Sequence, residues 1–292
     1  MSVRTANGIG VTLLVALLAL GAGGTALAGE DAGGPGSRIS GVFQVDFTNA
    51  YFFRGILNER DDFITQPWGE LYLNLYSSET APIRDVTVGV GAWASIHDNK
   101  TLADKSPKIL YEVDWYPLIS LGLPGGLTYT TVYYFYTSPN GAWATVQEWN
   151  HKLAWDDSEV LGRLSLSPYI NVAIETSRNS LGTEKGVGIQ MGVEPTIYEF
   201  QNERFPLALT FPVEVGLSAG DYYENGAGRD DTFGYVNWGV SASLPLPFIH
   251  ESYGAWSLGL RGKVYYFGDN LAGVNRGNEI YGVVAGGLGV EF

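Results

Sequence analysis

Apolar and polar side chains alternate with a period of two along most of the chain. The pattern is clearest in residues 278–292, where Ile280, Val284 and Leu288 fall in one register and Tyr281 and Glu291 in the other. A period of two places alternate side chains on opposite faces of a β-strand. A strand that ends a chain leaves an open edge unless it pairs with the first strand and closes a barrel. We therefore expect this last segment to close a β-barrel.

The same alternation recurs from Ile39 onward and predicts twelve strands, separated by turn sequences such as Asn225-Gly226. The predicted strands cover residues 38–53, 66–77, 85–95, 108–116, 126–137, 143–155, 163–175, 186–199, 207–219, 232–244, 255–267 and 278–292. No segment keeps a helical period. The predicted fold class is all-β: one up-and-down antiparallel β-barrel of about twelve strands, formed by residues 38–292 as a single domain.

Two kinds of barrel or sandwich fit this alternation. A soluble one buries its apolar face, whereas a transmembrane one turns that face to lipid and keeps polar groups inside. Strands of about ten residues or more and the lack of covering helices favour the transmembrane barrel. So do aromatic residues near strand ends, which we expect to form interfacial girdles: Tyr51, Phe52, Phe53, Trp68, Trp115, Tyr116, Tyr265, Tyr266 and Phe267. We expect a location in the bacterial outer membrane, in contact with its lipid, with both termini periplasmic.

The first 28 residues form a pattern typical of a secretory signal peptide. Arg4 precedes an apolar run over residues 11–20, and Ala26-Leu27-Ala28 follows. We expect cleavage after Ala28 and a flexible periplasmic lead-in over residues 29–37. A buried N-terminal helix is the alternative. The apolar run is too short to span a bilayer, and no later stretch has about 18 consecutive apolar residues.

Charge and composition limit the functions to consider. Charged residues make up 16% of the chain, against about a quarter in soluble domains. Without the signal peptide and its one arginine, 17 − 1 = 16 basic residues face 31 acidic ones, a net charge of −15. Such a charge argues against nucleic acid as a partner. The chain has no cysteine, no spacing typical of a metal site and no phosphate-binding glycine loop, so we expect no cofactor.

The first predicted strand ends in Tyr51-Phe52-Phe53-Arg54-Gly55. This resembles the TorF-type porin family, whose first strand ends in a Ser-Asp-Tyr-x-Phe-Arg-Gly-like sequence. Tyr51, Phe53, Arg54 and Gly55 match, while Asn49 and Ala50 stand where the family has Ser and Asp. The match covers about fifteen residues of 292. The resemblance implies an outer-membrane pore and no particular substrate.

The C-terminal residue, Phe292, also carries a resemblance. The closing strand resembles the last strand of bacterial outer-membrane proteins, which commonly ends in Phe. That resemblance implies that Phe292 is an assembly signal and that the barrel-assembly machinery is a partner.

Charges at strand centres should point inward, because a charge facing lipid costs about 2–4 kcal/mol at the bilayer midplane. The candidates for lining a pore are Asp46, Glu70, Glu112, Asp114, Glu148, Lys152, Arg163, Glu194, Glu214, Arg261 and Lys263. Glu175 and Glu291 share the inner face, so acids outnumber bases nine to four. A water-filled lumen would prefer cations modestly. A salt-bridge network filling a narrow barrel explains the same residues equally well.

We expect a non-enzymatic channel for passive diffusion of small hydrophilic solutes. One alternative is a hydrolase: Asp61-Asp62 with His97-Asp98 resembles the site of outer-membrane aspartyl-type proteases, and His250-Glu251-Ser252 has the His-x-Ser order of outer-membrane phospholipases. The other is a non-conducting structural barrel. The sequence leaves open the solute, the presence of a plug in the lumen and homo-oligomerisation.

Overall fold

The computed structural model describes residues 38–177, 184–200, 202 and 206–292, except for the side chain of Asp61. The expected signal peptide and lead-in lie outside the described residues. The strands are β1 (Ile39–Phe53), β2 (Ile56–Ser77), β3 (Asp85–His97), β4 (Leu110–Gly122), β5 (Leu127–Thr137), β6 (Val146–Trp155), β7 (Tyr169–Glu175), β8 (Val187–Val193), β9 (Thr196–Phe200), β10 (Leu207–Thr210), β11 (Val213–Gly220), β12 (Phe233–Pro245), β13 (Ala255–Phe267) and β14 (Ile280–Glu291). Short helices, α1 (Ser158–Leu161) and α2 (Asp269–Val274), and two 3-10 turns (Gly162–Leu164, Glu251–Tyr253) lie between them.

The sheet closes on itself through its first and last strands. β14 pairs antiparallel with β1, from Val42 opposite Glu291 to Thr48 opposite Ala285. The backbone of Phe292 extends the seam, because its N–H donates to the carbonyl of Gly41 at 3.0 Å and its carbonyl accepts from the Gly41 N–H at 2.8 Å. The predicted closing strand is thereby confirmed.

The fourteen strands occupy twelve positions around the barrel. β8 and β9 lie end to end, as do β10 and β11; β8 pairs with β11, and β9 pairs with β10. The interruptions fall at Pro195 and Pro212, which lack the N–H that a ladder needs. β12 pairs with both β10 and β11. At all the remaining positions around the barrel, a strand pairs with its neighbours in sequence. The predicted antiparallel barrel of about twelve strands is confirmed.

The outer face of the barrel is apolar and exposed. Val90, Leu260 and Val284 are 58–60% exposed although each lies within a strand. The inner face is polar, and Gln44, Asp46 and Glu70 are at most 3% exposed. This is the arrangement predicted for a transmembrane barrel and the reverse of a soluble one. Among the described residues, no helix is long and apolar enough to cross a membrane.

Several strand boundaries differ from the prediction, and two of the differences move candidate site residues. β2 begins at Ile56 instead of residue 66, because it continues directly from β1 through a tight turn. The pair Asp61-Asp62, expected in an outer loop, therefore lies within β2. β7 begins at Tyr169 instead of residue 163, because α1 and a 3-10 turn occupy the preceding segment. Arg163 lies in that turn with an exposed side chain, so its predicted place on the inner face is wrong.

The barrel has two ends, which we name by their contents. The terminal end carries the start of β1 and the end of β14. The loop end carries the turn between β1 and β2 and the loops 98–109, 138–145, 221–232 and 268–279. The candidate functional site lies at the loop end and extends to the middle of the lumen.

Candidate functional site

The turn between β1 and β2 is two residues long and is formed by Arg54 and Gly55. Both have positive φ, +46° and +83°, as a two-residue hairpin turn of type I′ requires. Glycine is also required by space at the second position. A Cβ added to Gly55 would lie 2.7 Å from the Tyr235 ring and 2.8 Å from Leu271. The sequence Arg-Gly thus sets both the turn and its close approach to β12 and α2.

The tip of this hairpin, residues 50–57, leaves the barrel wall and enters the lumen. Residues 50–56 are all buried, whereas a strand in the wall alternates buried and exposed positions. The bend coincides with a β-bulge. Thr48 and Ala50 are two positions apart in β1, but their partners Ile64 and Arg60 are four positions apart in β2. Bulges of this kind bend and twist a strand. The first hairpin is therefore part wall and part plug.

Arg54 carries the main polar contact of the tip. Its Nη1 pairs with Glu148 of β6, and its Nη2 donates to Asn150 Oδ1 at 2.9 Å. Arg54 is 3% exposed and Glu148 is fully buried. The Phe53 ring lies 4.9 Å from the guanidinium carbon. A buried ion pair of this kind fixes the position of the tip across the lumen.

Tyr222, from loop 221–232, completes the ion pair. Arg54 Nη1 donates to its hydroxyl, which in turn donates to Glu148 Oε2 at 3.0 Å. Burial, with the opposing effect of Arg54 and the added effect of Glu148, raises the pKa of Tyr222 well above its ordinary value. The hydroxyl therefore stays protonated and serves as a hydrogen-bond bridge.

The backbone of the tip is also held by loops of the loop end. Tyr223 OH donates to the Arg54 carbonyl at 3.2 Å. Asn275, in loop 268–279, donates through Nδ2 to the Gly55 carbonyl at 2.7 Å and accepts through Oδ1 from the Leu57 N–H at 2.9 Å. These three bonds satisfy backbone groups that have left the sheet ladder.

Aromatic rings pack on the sides of the tip. Phe52 stacks on Tyr265 and Phe267 at centroid distances of 5.1 and 5.4 Å, and Tyr51 lies 5.2 Å from Trp93. The expectation that the aromatic residues near strand ends form lipid-facing girdles is therefore wrong for six of them, because they fill the lumen instead: Tyr51, Phe52, Phe53, Tyr116, Tyr265 and Phe267. Trp115 and Tyr266 do face outward and are exposed.

Two acids of β4 lie beneath the tip. Tyr51 OH donates to Glu112 Oε2 at 2.9 Å, and Asp114 Oδ1 is buried without a hydrogen-bond partner. Both acids point inward as predicted, but they are at most 4% exposed. The neighbouring Tyr111, which the two-residue alternation of β4 would place on the lipid side with Trp115, is 3% exposed, and its ring centroid lies 4.5 Å from that of His97. A bulge at this residue, where Ser95 pairs with Glu112 but Ile96 pairs with Leu110, turns its ring inward.

The other half of the lumen, toward the terminal end, is polar and partly exposed. Part-exposed charged side chains here are Lys152, Glu194, Glu214 and Lys263, and we call this region the polar half. Glu214 accepts from Tyr235 OH at 2.7 Å and from Asn237 Nδ2 at 3.1 Å. Hydrogen bonds from the wall thus hold the carboxylate in place without covering it completely.

Buried charged groups border the polar half. Arg261 Nη2 lies 2.8 Å from Asp46 Oδ1, which also accepts from Gln44 Nε2 at 2.7 Å. Glu70 accepts from the hydroxyls of Tyr72 and Tyr116. Nine predicted lining residues lie on strands, and Glu194 lies between β8 and β9; whether they line a conducting pore stays a prediction. With Arg54 in place of Arg163, the predicted set of inner-face residues still has nine acids and four bases.

The residues considered for hydrolysis make structural contacts at both ends of the barrel. Ser95 Oγ lies 2.7 Å from His97 Nε2, but both residues are fully buried. Asp62 accepts from the Asn99 N–H at 2.8 Å and so ties β2 to loop 98–109. His250 caps a 3-10 turn at the terminal end by accepting from the Ser252 N–H. Among the described residues, no group of three or more His, Asp or Glu side chains is placed to hold a metal ion.

The sequence pattern missed the role of Arg54, of its partners Asn150 and Tyr222, and of Asn275, which binds the backbone of the tip. One signal was present: three consecutive aromatic residues followed by Arg-Gly break the two-residue alternation of β1. That break marks where the strand leaves the wall.

Comparisons with known proteins give only a general likeness. No protein-family model matches the chain, and no curated protein matches it. It is similar to a structure from a study of in-meso crystallisation of membrane proteins, at 12% identity and a TM-score of 0.45, covering 87% of this chain and 84% of the other. The β-domain of the Bordetella autotransporter BrkA and the NanC porin are similar at 11% identity, with TM-scores of 0.40 and 0.38, covering 86% of this chain and 98% of theirs. At these values the fold rests on the strand pairing of this chain alone.

Proposed function

We propose that this chain is an outer-membrane channel for small hydrophilic solutes, gated at the loop end by the tip of the first hairpin. The observation that carries the proposal is the contrast within the lumen. One half is filled by the tip around a single ion pair, Arg54–Glu148, while the other keeps part-exposed charges. A barrel whose interior served only for packing would fill both halves with side chains and leave none of its charged groups exposed to water.

The proposed location follows from the outer face. Exposed apolar side chains surround the barrel, as shown by Phe43, Leu71, Val90, Leu260 and Val284. A soluble monomer rarely exposes apolar patches of more than a few hundred Å². Because the number of strand positions around the barrel is even, both ends of the barrel segment lie at the terminal end, which would face the periplasm.

Several narrower expectations belong to the same proposal. Membership of the TorF-type porin family rests on Tyr51, Phe53, Arg54 and Gly55. Recognition by the assembly machinery rests on Phe292, whose ring covers Gly41 and would lie 2.7 Å from a Cβ added there. The proposal assigns no catalytic step. It keeps a modest preference for cations, since withdrawal of Arg54 would leave nine acids against three bases in the predicted inner-face set.

Conductance in planar bilayers tests the proposal. Arg54→Ala removes the side chain that crosses the lumen, and Arg163→Ala removes an equal charge from an exposed turn as the matched control. We expect brief, rare openings from the unmodified chain and from Arg163→Ala, and long openings from Arg54→Ala. The reversal potential in a salt gradient should indicate cation preference in the open state.

A second candidate function is a non-conducting structural barrel, which the completeness of the Arg54 network favours. Glu148, Asn150 and Tyr222 leave only the Arg54 Nε without a hydrogen bond. If Arg54→Ala inserts as a folded barrel but shows no conductance, and a variant with a shortened first hairpin is equally silent, the channel proposal fails in favour of this one.

A further inference from the structure

The outer faces of β5 and β6 interrupt the apolar band of the barrel. Halfway along these two neighbouring strands, the outward side chains include Thr131, Tyr133 and His151, with Gln147 nearer the loop end. On the other described strands, the outward positions halfway along are apolar or glycine, except for single hydroxyls at Thr65 of β2 and Tyr198 of β9. We call Thr131, Tyr133, Gln147 and His151 the β5–β6 patch.

Hydrogen bonds connect the patch within its own surface. Tyr133 OH donates to Gln147 Oε1 at 3.1 Å, and Trp149 Nε1 donates to Thr131 Oγ1 at 2.7 Å. His151 Nδ1 lies 2.8 Å from Tyr129 OH, while its Nε2 makes no hydrogen bond to any described residue. These hydrogen bonds fix the side chains on the surface, and at least one polar atom, His151 Nε2, remains available to an external partner.

Lipid acyl chains cannot serve as that partner. A polar group in the hydrocarbon region must be satisfied by protein or by water, and polar residues within membrane segments commonly lie against other protein segments. The patch carries no charged side chain, so a charged partner surface would also be left unmatched.

A second copy of this chain does provide matching groups, but through one face alone. No other described outer face has more than a single hydroxyl at mid-height, so a contact between the patch and a different face would bury most of its polar groups against apolar ones. A contact between two copies of the patch pairs donors with acceptors on both sides. Such a self-matching contact has two-fold symmetry.

We propose that the β5–β6 patch is the interface of a two-fold dimer in the membrane. The exposed Trp149 ring lies within the patch, opposite Tyr133, and the exposed Trp115 ring stacks on the neighbouring Phe135 at 3.8 Å, so aromatic surface surrounds the polar groups. The inference rests on the proposed membrane location and does not depend on conductance.

Single cysteines test the interface directly, because the chain has none of its own. Thr131→Cys places a thiol in the patch, and Val90→Cys places one on the exposed outer face of β3 as the matched control. After thiol cross-linking in isolated outer membranes, we expect a species of twice the monomer mass from Thr131→Cys and only monomer from Val90→Cys. Equal cross-linking of both variants, or none from Thr131→Cys, would overturn the interface.

A second measurement covers the case in which the cysteine itself disturbs the contact. Native mass spectrometry of the unmodified chain in detergent should show a dimer. The double variant Gln147→Leu, His151→Leu should raise its dissociation constant about tenfold or more, because interfacial hydrogen bonds are lost. A monomer or a trimer of the unmodified chain would contradict the two-fold contact. Absence of the chain from the outer-membrane fraction would instead refute the location, and the interface with it.

Discussion

Asn275 binds the first hairpin through both ends of its amide: Nδ2 donates to the Gly55 carbonyl at 2.7 Å, and Oδ1 accepts from the Leu57 N–H at 2.9 Å. The two residues of the hairpin are more than two hundred positions away in sequence, and Asn275 is fully buried. A single amide side chain thus replaces the strand partners that the tip has left.

Asn275→Ala should loosen the tip without opening the barrel wall. It leaves a buried carbonyl and a buried N–H unsatisfied, at about 1–3 kcal/mol each. We expect longer channel openings in planar bilayers and an unchanged heat-modifiable gel shift. Asn278→Ala is the control, since the Asn278 side chain donates to the Asn275 carbonyl within the same loop. Equal effects of both variants would show that the loop as a whole, rather than the Asn275 amide, holds the tip.

Gly55→Ala should destabilise the hairpin for two reasons, strain and collision. Positive φ alone costs a residue with a Cβ about 1 kcal/mol, and the new Cβ would collide with Tyr235 and Leu271. Gly125→Ala separates the two effects, because Gly125 has φ +74° and open space around its Cβ position. We expect a clearly larger fall in the urea-unfolding free energy for Gly55→Ala. Equal losses would mean that the close packing at the tip does not contribute.

Two acid-to-amide changes on the inner face should act in opposite directions. Glu148→Gln leaves the buried Arg54 without its counter-charge, which costs about 3–5 kcal/mol. Asp114→Asn removes a buried carboxylate that has an unpartnered oxygen and lies near Glu112, so it should be neutral or stabilising. Urea unfolding in lipid vesicles checks both variants. A destabilising Asp114→Asn would reveal a stabilising role for the carboxylate itself.

Changing Glu112 to Gln and Asp114 to Asn together should also lower the cation preference of the open channel, if these acids line its path. The reversal potential across a salt gradient measures this preference. Anion preference in the unmodified chain, or an unchanged potential in a folded double variant, would contradict the expectation.

Low pH should destabilise the turn at the terminal end in which backbone N–H groups donate to the Asp157 carboxylate. Burial by itself raises the pKa of Asp157, but the Ser165 hydroxyl and the backbone N–H groups of Ser167 and Leu166 favour the carboxylate and bring the pKa below its ordinary value. A lowered folded-state pKa adds stability above the unfolded value of about 3.9, and this stability is lost as pH falls through the folded-state pKa. The stability advantage over Asp157→Asn should therefore be full at neutral pH and vanish in strong acid. An advantage that did not change with pH would rule out the carboxylate as its source.

The sequence predicted the barrel wall well, because one physical rule governs it. Wherever one face meets an apolar surrounding and the other a polar interior, side chains must alternate, and Phe43, Asp46 and Leu71 follow this rule. The registers of β1, β4 and β14 could be inferred from it. The bulge at Tyr111 could not, because one extra residue reverses the alternation without changing its appearance.

The plug could not be predicted by the same rule, since both faces of the tip are buried. Tyr51-Phe52-Phe53 has the same composition whether it lies at a lipid interface or inside a lumen. Nor does the sequence indicate which of nine inner acids would pair with Arg54, because Glu148 is 94 residues away and comes close only when the barrel has closed. The polar positions of β5 and β6 were visible in the sequence, but only the complete wall shows that they lie side by side on its outer face.

The contacts of the hairpin tip imply an order of assembly. The tip belongs to the first strand pair, yet the groups that hold it come from β6, loop 221–232 and loop 268–279. Most of the chain must therefore be in place before Arg54 and Gly55 find their partners. The strand pairing of the wall does not use these contacts, so we expect insertion of the tip to be the final folding step. A chain shortened before α2 would keep the tip but lack Asn275, one of its last anchors.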